Sequence, residues 1–245
     1  MGSFLACQAW RLRYKELGKK SLGKWSVCLS CGHRLAWFEN IPIFSWLFLR
    51  GKCRKCGKKI GALEIIAELL MGLSFLGISL LVDFGFSAIQ WVDFIVMLLF
   101  IMSIGFLAIY DGMWGELPTF MLVIANVIAV VLFALNGVMN GFSEHLFINT
   151  GIAIMILFGV YWMLSKLSKG EWVGDGDSWL GLALAFAIGD WWLALWIMFL
   201  SNALGSVVGL GEKIKNAKKK IFFGPFLAIA FIIVYTFKIF IGGLL

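Results

Sequence analysis

Charge is scarce in this sequence. Asp, Glu, Lys and Arg make up only 14% of its 245 residues, while hydrophobic residues make up 61%; soluble domains carry about a quarter charged residues. That mixture excludes a soluble domain with a single core. The net charge of +7 does not point to nucleic acid either, because the Lys and Arg residues are confined to a few intervals between apolar runs, as in membrane proteins. No cleavable signal peptide is expected, since Met1 to Trp10 is too short in apolar residues for one. There is no Gly-rich strand-to-helix fingerprint of a Rossmann-type cofactor site, no soluble-type internal repeat and no low-complexity tract.

What the sequence has in quantity is long apolar runs. Residues 1–60 form a polar, basic segment, and apolar runs dominate residues 61–245. The expected fold is an all-α polytopic membrane protein with a small N-terminal module. Spanning helices are expected at about 62–82, 91–110, 118–137, 146–164, 178–189, 190–210 and 222–243. The fifth is short, and Gly189-Asp190 is the turn signal that separates it from the sixth. The 12 Trp and 23 Phe residues read as lipid-facing packing and interfacial anchors.

Orientation follows from the cations. Of the 21 Lys and Arg residues, 13 precede the first helix; Lys166 and Lys169 precede the fifth, and five lie between the sixth and seventh (Lys213, Lys215, Lys218, Lys219 and Lys220). Lys238 alone falls near the end. Seven spans put all these basic intervals on one side, and the opposite loops carry Asp83, Glu144 and Asp190 without a cation. The positive-inside rule then makes that side cytoplasmic in the inner membrane and brings residues 111–117 to the same face.

Two carboxylates stand out by position. Asp111 ends an apolar run just before Leu117-Pro118 opens the next helix. Asp177 closes Gly174-Asp175-Gly176-Asp177 and leads directly into another helix. Both are expected at one level of one membrane face. Two carboxylates brought together share a proton, so one activates a water while the other protonates a departing amine, as peptide hydrolysis without a covalent intermediate requires. The alternative is that Asp111 and Asp177 only satisfy helix-terminal amides, in a non-catalytic membrane scaffold whose N-terminal module binds a partner.

Four of the five cysteines form two knuckles, Cys28-Leu-Ser-Cys31-Gly32 and Cys53-Arg-Lys-Cys56-Gly57. Two such turns close a four-thiolate site without an open coordination position, so a structural Zn²⁺ on Cys28, Cys31, Cys53 and Cys56 is expected, in a zinc-ribbon-like module. Disulfides are the alternative, and a reducing cytoplasm disfavours them. Cys7 reads as a buried thiol and His33 as a solvated turn residue, with replacement of one cysteine ligand as the other possibility. Arg54 and Lys55 would offset the charge of four thiolates.

The Asp111-to-Pro118 segment and the G-x-G-D of Gly174 to Asp177 together resemble the type IV prepilin peptidases, a family of membrane aspartic proteases. The likeness extends to Gly2-Ser3-Phe4-Leu5, to Trp37-Phe38-Glu39-Asn40-Ile41-Pro42 with Ser45-Trp46, and to Phe223-Gly224-Pro225-Phe226-Leu227. It implies that Asp111 and Asp177 are the catalytic pair and that the substrate is a prepilin or pseudopilin in the lipid bilayer, cut at the cytoplasmic face. It also implies that S-adenosylmethionine serves to methylate the new N-terminal residue. Several departures from the family pattern are visible. Trp179 stands where the family has Lys, and Asp175 adds a carboxylate beside the pair. Leu63-Glu64-Ile65 before Ala67-Glu68 replaces the family's Arg-Tyr-Pro before Val-Glu. The chain starts at the Gly-Ser-Phe-Leu motif, so seven spans are expected where the family has eight.

Overall fold

The computed structural model describes residues 2–18, 25–28, 30–40, 42–59, 63–81, 87–170, 173–215 and 222–242. Asp83, Lys218, Lys219 and Lys220, counted above in the charge pattern, lie outside them. Among the described residues the structure is helical with no strand, apart from two isolated antiparallel bridges. The chain divides into two compact units, Met1–Ser74 and Phe75–Leu245.

The first unit opens with α1 (Gly2–Glu16), a helix the basic, polar composition did not announce. Its start lies against α3 (Leu63–Leu81): a Cβ on Gly2 would meet the backbone of Ala67, and the Ser3 amide donates to Glu68 Oε2 at 2.9 Å. Gly2 is therefore demanded by a close backbone approach. Between these helices lie the two cysteine knuckles, a 3₁₀ turn (Trp37–Asn40) and α2 (Pro42–Phe48), which packs on that turn.

The second unit contains α4 (Ala88–Trp114), α5 (Thr119–Asn140), α6 (Glu144–Ile154), a π-helical segment (Met155–Gly159), α7 (Val160–Leu167), α8 (Asp175–Ile188), α9 (Trp191–Lys215) and α10 (Gly224–Gly242). α8 packs on α5 and on the π segment, and α10 packs on α4 and α9. A Cβ on Gly181 would collide with the Leu157 carbonyl oxygen, so α8 meets the π segment backbone to backbone. Such π segments interrupt helices where local geometry is redirected. Phe100, Ile101, Ile104, Leu107, Leu180, Leu184 and Phe231 form the buried core, whereas Phe120, Val127, Phe199 and Val207 stay exposed. An apolar exterior of this kind is what lipid would cover.

Among the described residues, four stretches are long and apolar enough to cross a membrane: Ala88–Trp114, Thr119–Asn140, Glu144–Leu167 and Trp191–Gly209. Two more are apolar and shorter, Ile65–Leu80 and Gly224–Phe240. α8 has 14 residues and is about 21 Å long, less than the roughly 30 Å hydrocarbon core. It ends where the sequence signalled a turn. Gly189 adopts φ +63°, and Asp190 Oδ1 then accepts the Trp192 and Leu193 amides to cap α9.

Candidate functional site

Asp111 lies in the last turn of α4 and is 5% exposed. Gly115 stops that helix at φ +70°, donating its amide to the Asp111 carbonyl at 2.7 Å. The Asp111 side chain turns toward α10, where Oδ2 accepts the Gly224 amide at 2.9 Å. The first amides of a helix have no partner within it and face acidic groups well. A Cβ on Gly224 would lie 2.8 Å from the same oxygen, so no larger residue fits there undisturbed.

Asp177 occupies the first turn of α8 and is 6% exposed. Its Oδ2 accepts the Gly174 amide at 3.0 Å while its own amide donates to the Gly174 carbonyl at 3.2 Å. The helix-capping role weighed from sequence is thus filled by this one oxygen. The other, Oδ1, is buried without a partner. Asp111 and Asp177, 66 positions apart in the chain, are within electrostatic reach of each other.

Asp175 points elsewhere. Residues two apart on a helix face nearly opposite directions, and Asp175 is exposed, accepting Ser165 Oγ at 2.7 Å and Lys166 Nζ at 3.1 Å. Hydrogen bonds from that hydroxyl and that ammonium hold its carboxyl below the usual range. Gly176 separates the two carboxylates where a Cβ would fall 2.9 Å from Leu117 Cβ. Trp179 is exposed, edge-on to Phe158, and its carbonyl accepts Asn126 Nδ2 at 3.1 Å, which ties α5 to α8 beside Asp177.

A buried polar group near Asp177 escaped the sequence reading. Tyr161 is fully buried within electrostatic reach of Asp177; its hydroxyl lies 3.1 Å from Ser201 Oγ and accepts Asn202 Nδ2 at 3.2 Å. Because Ser201 donates to the Met198 carbonyl, the tyrosine proton goes to Ser201. The Ser201-Asn202 pair inside an apolar helix was the available signal, since polar groups at membrane depth mark function.

The four cysteines Cys28, Cys31, Cys53 and Cys56 converge in the first unit with their sulfurs within 4.8 Å of one another. The Cys28–Cys56 and Cys31–Cys53 pairs are 4.0 Å apart. Four thiolates about 2.3 Å from a tetrahedral ion would be roughly 3.8 Å apart. The knuckles repeat each other bond for bond. Gly32 and Gly57, at φ +69° and +66°, donate to the Cys28 and Cys53 carbonyls at 2.9 Å, and Cys28 and Cys53 donate onward to His33 and Lys58. Amides of Cys56 and Lys55 lower the Cys53 thiol. Burial of Cys28 is outweighed by the amides of Ser30 and Cys31 and the sulfurs of Cys53 and Cys31, which bring it to about 7. At Cys31 the His33 amide is outweighed by burial and the sulfurs of Cys28, Cys56 and Cys53, which push it up to about 11. The donor set thus fits a thiophilic cation. Cys7 is outside the cluster, His33 faces Glu39 Oε2 at 3.5 Å, and Arg54 stacks over Phe38.

Residues 1–82 match the family model described as the bacterial peptidase A24 N-terminal domain. The chain is 32% identical over 219 residues to the prepilin leader peptidase/N-methyltransferase of Dichelobacter nodosus, covering 89% of this chain and 73% of that protein. The proteins of the same name from Aeromonas hydrophila and Pseudomonas aeruginosa are 30% and 29% identical, each alignment covering 84% of this chain and 69% of the relative. No solved structure matches the chain.

Proposed function

Because the chain belongs to the prepilin leader peptidase/N-methyltransferase family, we propose that it removes the basic leader of prepilin-like membrane proteins by aspartic hydrolysis and methylates the amine so exposed. The observation that carries the peptidase assignment is the buried, unpartnered Oδ1 of Asp177 within electrostatic reach of Asp111. The ionised member of the pair takes a proton from water as the oxygen attacks the scissile carbonyl. The protonated member gives its proton to the departing nitrogen as the C–N bond breaks. The two carboxyls titrate as one system. Gly224 and Gly174 hold one oxygen of each with backbone amides, fixing the geometry before substrate arrives.

In this reading α3, α4, α5, α6 with α7, α8, α9 and α10 make seven crossings, with the short α8 enclosed by protein. The first unit and both aspartates open on the cytoplasmic face in this reading, which the cation distribution supports. Substrate already in the bilayer arrives by lateral diffusion, its leader on the same side. Cys28, Cys31, Cys53 and Cys56 hold Zn²⁺ in a structural role, and S-adenosylmethionine supplies the methyl group. The test is to incubate the purified protein in detergent with a synthetic prepilin, with and without S-adenosylmethionine. Product masses should show leader loss in both samples and one added methyl only in the second; an intact prepilin would refute the assignment.

A further inference from the structure

Glu39 repeats the local geometry of Asp177. Its Oε2 accepts the amide of the residue three positions earlier, Ala36, at 2.8 Å, and its own amide donates to the Ala36 carbonyl at 3.0 Å. For Asp177 the partner three positions earlier is Gly174, with the same pair of bonds. In both, the second carboxylate oxygen is buried without a partner: Asp177 Oδ1 in one unit, Glu39 Oε1 in the other. The Glu39 side chain is only 3% exposed. α2, which packs on the turn that carries Glu39, contributes a second buried polar atom without a partner, the Trp46 indole Nε1. A buried acceptor and a buried donor each cost about 1–3 kcal/mol unless something pairs with them. Such orphans in a folded protein call for an explanation, and a catalytic role is one that accounts for them.

Resting on the bifunctional reading above, we infer that Glu39 is the catalytic carboxylate of the methyl-transfer site. Its ligand is the α-amine at the N-terminus of the cleaved substrate, and Trp46 Nε1 donates to a carbonyl oxygen of the same peptide. The ligand is a primary ammonium at neutral pH and cannot attack until it loses a proton. Glu39 Oε1 accepts that proton. The freed nitrogen pair forms the N–CH₃ bond as the S–CH₃ bond of the sulfonium donor breaks, and the sulfur keeps the electron pair. Oε2 stays on the Ala36 amide throughout and sets the direction of Oε1. Neither zinc nor any cysteine takes part in the step, so a change at Glu39 removes the chemistry while the metal stays.

The full-length protein in detergent is assayed for leader cleavage, methylation, zinc content and peptide binding. Binding is measured by calorimetry without methyl donor, using a peptide of the mature N-terminus with a free or an acetylated α-amine. Glu39→Gln should cleave normally and keep its zinc, lose at least about 100-fold in methylation, and lose the wild-type preference for the free amine. Glu39→Asp should recover part of both, and Trp46→Phe should weaken binding of either peptide several-fold. The inference is overturned if Glu39→Gln methylates within a few-fold of wild type, or if it still prefers the free amine. It is equally overturned if Glu39→Gln and Glu39→Asp both lose zinc in proportion to methylation, which would make Glu39 a structural cap. A wild-type protein that cleaves but never methylates would instead refute the bifunctional reading.

Discussion

The backbone amide of Gly224 donates to Asp111 Oδ2 at 2.9 Å, joining the first residue of α10 to the last turn of α4 across 113 positions of chain. The bond explains why Phe223-Gly224-Pro225 is a motif at all. Pro225, without an amide, suits the first turn of a helix, and Gly224 leaves room for a carboxylate against the chain. Gly224→Ala would set a Cβ 2.8 Å from that oxygen and push the carboxyl out of place. Displacement near 1 Å can cost about 100-fold in rate, so cleavage should fall by about that factor with zinc content unchanged. Gly112→Ala serves as the control, because its Cβ would make only an ordinary 3.6 Å contact with Pro225. Equal activity in the two variants would remove Gly224 from the site.

Asp175 and Asp177 should separate cleanly on substitution. Asp111→Asn and Asp177→Asn should each reduce cleavage at least about 100-fold, while Asp175→Asn stays active near neutral pH. Asp175 acts instead on acid stability. Its carboxyl is held below the usual range by the Ser165 hydroxyl and the Lys166 ammonium. A depressed folded value means the stabilisation is present above the unfolded value of about 3.9 and is lost as pH falls through the lower folded value. Melting curves taken from pH 7 downward should therefore show the wild type losing stability below about pH 4 and Asp175→Asn losing less. An inactive Asp175→Asn beside an active Asp177→Asn would reverse the catalytic assignment.

Metal content tests the cysteine site. The purified protein should carry about one Zn²⁺, and paired serine substitutions at Cys28 and Cys31, or at Cys53 and Cys56, should release it. Methylation should go with the metal, because two knuckles held by one ion cannot keep their relative positions without it. Cleavage should persist in part, since Asp111 and Asp177 belong to the other unit. A freshly reduced preparation without zinc would exclude the site.

The sequence made some of these relationships legible and hid others for physical reasons. Cysteine knuckles are local, and spacing alone marks Cys28, Cys31, Cys53 and Cys56. Asp111 and Asp177 could be singled out because a carboxylate beside an apolar run is costly. Their backbone partners could not, because an amide has no residue identity; Gly224 was visible only as part of a motif. α1 went unread because its mixed basic face has no amphipathic period, and Glu39 because its unpartnered oxygen exists only after the 3₁₀ turn forms. Lys238, an exception to the cation pattern, is explained by geometry: its Nζ donates to the Ile188 carbonyl at 2.9 Å, at the end of α8.

That bond gives a stability prediction. Lys238 places a cation at the C-terminal end of a helix, within electrostatic reach of Asp93 and Asp190. Lys238→Met should lower stability by about 2 kcal/mol, the worth of a hydrogen bond to a charged group, read as an earlier thermal transition in detergent. Adding Asp93→Asn should recover part of the loss, because the uncompensated carboxylate is then gone. Strictly additive effects would show that the two do not interact.

The proposed mechanism also makes a demand on topology, because Asp111 and Asp177 cooperate only if the segments bearing them open on the same side of the bilayer. Cysteine labelling in a cysteine-free background reads this, provided the probes do not disturb the site. Gly115 is a poor choice, since its φ is +70° and a Cβ there would collide with the Phe222 ring. Glu116 is exposed and Ser168 half-buried, in the 111–118 turn and the α7–α8 connection, while exposed Ser87 and Glu144 begin α4 and α6 at the opposite ends of the bundle. In intact cells, cysteines at Glu116 and Ser168 should resist a membrane-impermeant thiol reagent, and those at Ser87 and Glu144 should react. Permeabilisation should expose the first pair. Labelling of Glu116 and Ser168 from opposite sides would separate the two carboxylates by the width of the membrane, and no shared proton could then pass between them.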